Sequence, residues 1–246
     1  MTLKDYKFNS KEDFIYYLRS LIILTFKNLE TYDKQINQLG ELIEEKNVIE
    51  RPKRLVSANI YKNYRNMLGY TSNYLANLFG DTAEYGSSYQ NYRRFIKKKS
   101  KQLNLDYLEF SQEQDAELNE ITSARNWGSH VPVSLMNSTE DRVYEVEIDT
   151  NKPIYVADFE KYEGMWLINL YDESARNLKG YKVLFEMMKE EYSVLTGHPC
   201  FVIKQDYPVR DMSDLIIPKI SSGIQKKRIK TVEDIKKLYE EESELA

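Results

Sequence analysis

The chain has 246 residues, 30% of them charged and 41% hydrophobic, and its net charge is −4. That balance excludes both a disordered polyelectrolyte and a general polycation, so any nucleic-acid contact must come from a local basic patch. A single cysteine, Cys200, excludes an internal disulfide framework and cannot by itself support a cysteine-based zinc site.

The cysteine usage points to a reducing cytoplasm. The apolar run Leu21-Ile22-Ile23-Leu24 is too short to span a bilayer, and Asp5, Glu12 and Asp13 surround the start, unlike a signal peptide. No membrane partner is therefore expected. With only 9 glycines and 6 prolines, long helices are favoured over a turn-rich β fold. The expected class is mainly α: a helical bundle of about five long helices, with a small β-hairpin before the last one. Two regions are expected, a helical domain over 1–206 and a C-terminal arm with a short helix over 207–246.

The first element expected is one long helix over 11–48, capped by Ser10 with Asp13 at N3. Ile22, Leu29, Ile36 and Ile43 recur every seven residues, and Leu18, Tyr32 and Leu39 fall three after the corresponding positions. Thr25 is the polar exception in that seam. Pro52 breaks the pattern. A second helix is expected over about 54–79, with Leu55, Ile60, Tyr64, Leu68, Leu75 and Leu78 inward. A third, over about 88–104, carries Tyr89, Tyr92, Arg93, Arg94 and the cluster Lys97-Lys98-Lys99. Basic residues interleaved with aromatics suit stacked bases and phosphates. The plainer reading is a solvated face with the tyrosines packed inward.

Ser111 opens a fourth helix, and Gln114 completes a capping box. Residues 144–149 and 153–159 alternate and are rich in β-formers, which predicts a hairpin at about 144–158. A fifth long helix is expected over 160–196, ending at Gly197, with a short strand in Cys200-Phe201-Val202-Ile203-Lys204. Beyond it come the apolar stretch Leu215-Ile216-Ile217-Pro218, a basic run and an acidic end.

The fourth helix ends in Ser123-Ala124-Arg125-Asn126-Trp127-Gly128-Ser129-His130. Arg125 lies four residues after Ile121 and seven after Leu118, on the stripe that should face inward. An arginine there must be paired, snorkel to solvent or line a cleft. An internal ion pair, to Glu120 or to an acidic residue of another helix, is the plain structural reading. In a cleft, five fixed donors and a permanent charge suit phosphate. Asn126 and His130 are four apart on an adjacent face. Arg125 and His130 are about 140° apart on an ideal helix, within reach of a long side chain. Pro132 disfavours helix at Val131, so the helix should end at His130, where helix-dipole electrostatics also favour a histidine.

These residue types fit metal-independent RNA cleavage. A histidine near its natural pKa can move a proton to or from a 2′-hydroxyl, and an arginine can stabilise charge on the phosphoryl oxygens. Asparagine can orient either one.

Arg-Asn-x-x-x-His near the end of a helix, after a helical bundle, resembles the HEPN superfamily, whose motif is Arg, four to six residues, then His. The likeness extends over about residues 10–200 by helix count, and its specific part is Arg125–His130 alone. The resemblance implies catalytic roles for Arg125, Asn126 and His130, no cofactor and no metal. It implies a homodimer in which both chains line one cleft, and RNA as substrate. It also implies a prokaryotic defence or toxin protein, with an antitoxin or another protein as partner. The alternative is a catalytically inactive helical bundle acting as a protein–protein or nucleotide-binding module. The chain holds three Arg-Asn pairs, at 65–66, 125–126 and 176–177, and only the second meets a histidine.

One lesser candidate remains. His198 and Cys200 are too few ligands for zinc and read as a turn after a long helix. No glycine-rich phosphate loop, His-Glu-x-x-His or Gly-x-Ser-x-Gly occurs.

Overall fold

A computed structural model describes residues 8–83, 86–129 and 158–205; of 126–129 only the helical backbone is described. The expected hairpin at about 144–158 and the arm over 207–246 lie outside the described residues, apart from Asp158, which is not in a strand. The fold is mainly α. Its elements are α1 (Lys11–Glu45), β1 (Leu55–Ser57), α2 (Ala58–Gly80), α3 (Tyr89–Leu103), α4 (Gln112–Ser129), β2 (Lys161–Glu163) and α5 (Met165–Thr196).

Helix α1 starts at the expected capping box. The Asp13 amide donates to Ser10 Oγ at 3.3 Å, and the Ser10 amide donates to Asp13 Oδ2 at 3.0 Å. Every seam residue, Thr25 included, is buried. The helix stops three residues before the expected end because Asn47 turns left-handed, at φ 50°. The Asn47 amide then donates to Glu44 O at 2.8 Å and the Val48 amide to Ile43 O at 3.0 Å, a Schellman closure.

The only sheet among the described residues joins β1 to β2, antiparallel, with Val56 opposite Tyr162. Two expected helix starts are thereby corrected. α2 begins at Ala58 rather than 54, and α5 at Met165 rather than 160. Leu55, expected inward, is exposed, while Val56 points in, as alternation along a strand requires. Gly164 joins β2 to α5 against buried Val48, where a Cβ would lie 2.3 Å from Val48 Cγ1. Gly197, at φ 77°, ends α5 as expected.

The core lies where α1, α2 and α5 meet one another, and Leu39, Leu75, Leu167 and Leu184 are fully buried there. Helix α4 packs mainly on α2. The two helices come close at Gly80, where a Cβ would lie 2.8 Å from Thr122 Cα. The Cys200–Lys204 segment forms no strand. No helix among the described residues is long and apolar enough to cross a membrane.

Candidate functional site

Helix α4 sets the position of Arg125. Leu118 on the same stripe is buried, and Ile121 is half-buried. One helical turn on, the Arg125 side chain is 17% exposed and sits against the end of α2. Its Nε donates to Asn77 Oδ1 at 2.7 Å, and its Nη2 pairs with Asp81 Oδ1 at 2.8 Å. Among the described residues the acidic partner is therefore Asp81, the C-cap of α2, and not Glu120. Asp81 Oδ1 also accepts the Ala83 amide at 2.9 Å, so the carboxylate is itself held in place.

Arg125 lines a cleft of about 600 Å³ between α2, α4 and α5. Arg65 adds a second cation and Glu173 an anion. Asn73, Asn169 and Asn177 supply amides, and Tyr61 and Trp166 supply ring faces in edge contact, with centroids 5.6 Å apart. Tyr181 lies in the same wall, its hydroxyl 3.0 Å from Ser72 Oγ. Burial pushes the Tyr181 phenol up to about 12, against a lowering by the Ser72 hydrogen bond, so it is neutral at pH 7. Such a cleft offers charge for phosphate and both rings and amides for a base.

One residue from each of the three Arg-Asn pairs lines this cleft: Arg65, Arg125 and Asn177. Of the expected catalytic set, Arg125 is in the cleft wall. Asn126 lies in the last turn of α4 with its side chain outside the description, and His130 falls outside the described residues. Sequence reasoning missed Asn77, Asp81, Trp166 and the asparagines. Their common signal is a helix face, and it becomes visible only once α2 and α5 are known to flank α4.

The basic helix α3 divides differently from the expectation. Tyr89 and Tyr92 point inward, as the plainer reading has it, but Arg93 goes inward with them. It forms a buried ion pair with Glu191 of α5, through Nη1 and Oε2. The second Glu191 oxygen accepts the Leu108 amide at 3.1 Å, and the Tyr89 hydroxyl donates to Oε2 at 3.3 Å. The Arg93 guanidinium also stacks on Phe110, 3.5 Å from the ring centroid. Burial raises the Glu191 carboxyl above its ordinary range, and Arg93 opposes that rise.

His198 is exposed, and burial pushes the Cys200 thiol up, which opposes the thiolate a nucleophile or ligand needs. Among the described residues no group of three or more His, Cys, Asp or Glu is placed to hold a metal. Comparison with protein-family models, curated proteins and solved structures finds no match.

Proposed function

We propose that the chain is a metal-independent RNA endonuclease of HEPN type, acting at the cleft lined by Arg125. The observation that supports this most is the fixed guanidinium. Asn77 and Asp81 orient Arg125 in the wall of a cleft that also holds Arg65, three asparagines and Trp166. His130 follows Ser129, the last residue of α4, directly in sequence.

In this reading the 2′-hydroxyl gives its proton to the His130 imidazole, and its oxygen bonds to the adjacent phosphorus. The 5′-oxygen leaves and takes up a proton. The products are a 2′,3′-cyclic phosphate and a 5′-hydroxyl. Arg125 stabilises the charge on the phosphoryl oxygens, and Asn126 orients the imidazole. Two copies pair, each contributing Arg125 and His130 to a shared cleft. A role in prokaryotic defence, with an antitoxin or another protein as partner, belongs to the same reading.

A second reading draws on the Asp81 contact, which satisfies part of Arg125 within the chain. In that reading the bundle is a binding module that cuts nothing. Incubation with mixed RNA in EDTA separates the two. The nuclease cuts, and Arg125→Ala and His130→Ala each lower the rate about 100-fold or more. Equal cutting by all three proteins, or none by the natural protein, contradicts the nuclease reading.

A further inference from the structure

The cleft that holds Arg125 has an end remote from it. Tyr61, near the start of α2, meets Trp166 of α5, while Asn77, near the end of α2, holds Arg125. The two points lie about 24 Å apart along α2. Trp166 and Arg125 nevertheless line one cavity. At the remote end Trp166 is 45% exposed, and its indole is in edge contact with Tyr61 and Tyr162, at centroid distances of 5.6 and 5.5 Å. A large aromatic held in place yet open to a cleft is a platform for a planar ring.

The wall between the two ends is kept low. Gly69 lines the cleft in the middle of α2, where a Cβ would meet nothing within 4 Å. Glycine weakens a helix interior, so it is ordinarily kept for a left-handed turn or for a close neighbour. Gly69 is helical, and among the described residues it has no such neighbour. The space over it points to a ligand that approaches the backbone.

Polar groups flank that space. Arg65 precedes Gly69 by about one helical turn, and Asn73 follows it by one. Asn169, Glu173 and Asn177 line the same cleft from α5. Among the described residues Arg65 has no ion-pair partner, and the side chains of Asn73, Asn169 and Asn177 make no hydrogen bond. The amides and the carboxylate match the donors and acceptors on base edges, and Arg65 matches a phosphate.

We propose that this cleft binds single-stranded RNA as an extended segment of about four nucleotides. The strand passes over Gly69, with one unstacked base on Trp166 and one phosphate on Arg65. A duplex keeps its bases stacked on one another and offers Trp166 no ring. That the strand is RNA rests on the reading of Arg125 as part of an RNA-cleaving centre; stacking on Trp166 does not require cleavage.

The test uses the full chain. It has two tryptophans, Trp127 and Trp166, so in Trp127→Phe the indole emission reports Trp166 alone. A non-cleavable 2′-O-methyl hexanucleotide of mixed sequence should quench it saturably, and the same strand in a duplex should bind about tenfold more weakly or worse. Anisotropy of the labelled strand, which needs no tryptophan, should show about tenfold weaker binding by Trp166→Ala. Arg65→Ala should make the fall of log affinity with log salt shallower by about 0.7, the loss of one phosphate contact. Gly69→Leu separates binding from folding. Its Tm should equal or exceed that of the natural protein, because leucine favours helix and its Cβ meets nothing, while binding falls about tenfold or more. Binding without cutting of unmodified RNA would contradict the nuclease reading and leave this site standing. No saturable quenching, equal affinity for the duplex, or undiminished binding by Gly69→Leu overturns the proposal.

Discussion

Arg125 and Asp81 meet at 2.8 Å across the α2–α4 boundary, with both side chains 17% exposed. The contact joins the last described side chain of α4 to the C-cap of α2. It fixes one end of the proposed catalytic motif to the bundle that surrounds the cleft.

Removing either partner leaves a half-buried charge with less compensation. Arg125→Ala and Asp81→Asn should each cost about 1–3 kcal/mol. Urea unfolding of the two single variants and the double should show a double-variant loss smaller than the sum. Additive losses would show that the two side chains do not act together.

The Gly80 contact is sterically closed. Gly80→Ala places a Cβ 2.8 Å from Thr122 Cα, which α4 can relieve only by moving away. The expected cost is about 1–3 kcal/mol. Hydrogen exchange should speed up in α4 more than in α1. Unchanged stability would mean that α4 does not pack on α2 at this position.

Arg93 and Glu191 are more deeply placed. Arg93→Met leaves the Glu191 carboxylate buried without its partner, at about 3–5 kcal/mol. The double variant Arg93→Met/Glu191→Met should recover much of that loss, because paired apolar replacements avoid the desolvation of both charges. Denaturant midpoints of the three proteins check the order.

Buried phenols make the fold sensitive to base. Tyr181 is pushed up to about 12 in the fold, and Tyr89 and Tyr92 are raised by burial as well. A raised folded value means that their stabilisation is complete below the ordinary phenol range and is lost as pH climbs towards the folded value. Stability should therefore fall above about pH 10, where an unfolded tyrosine ionises. An ultraviolet titration should show a class of tyrosines that ionises only with unfolding. One smooth transition with the fold intact would contradict their burial.

Much of this was legible in the sequence because it depends on period alone. The seam from Leu18 to Ile43 is apolar at fixed spacing, so the buried face of α1 follows from it. The inward stripe Leu118–Ile121–Arg125 follows from the same rule. The partner of Arg125 does not, because a helix face does not say which helix covers it. β1 and β2 are three residues each and pair across more than a hundred positions, so no local pattern marks them. Leu55 is a hydrophobe on an outward strand position, and Arg93 is a cation drawn inward by a glutamate on α5. Both reverse the ordinary expectation for their residue type, for reasons that lie elsewhere in the chain.

The most direct test uses one RNA with a single 2′-deoxy substitution at a cleavable linkage, in EDTA. Attack by the 2′-oxygen requires that the natural protein cut the unmodified linkage, leave a 2′,3′-cyclic phosphate and spare the deoxy position. Arg125→Ala and His130→Ala should leave both linkages whole. Cutting at the deoxy linkage, 5′-phosphate products, or undiminished cutting by both variants would contradict an RNA-cleaving centre built on Arg125.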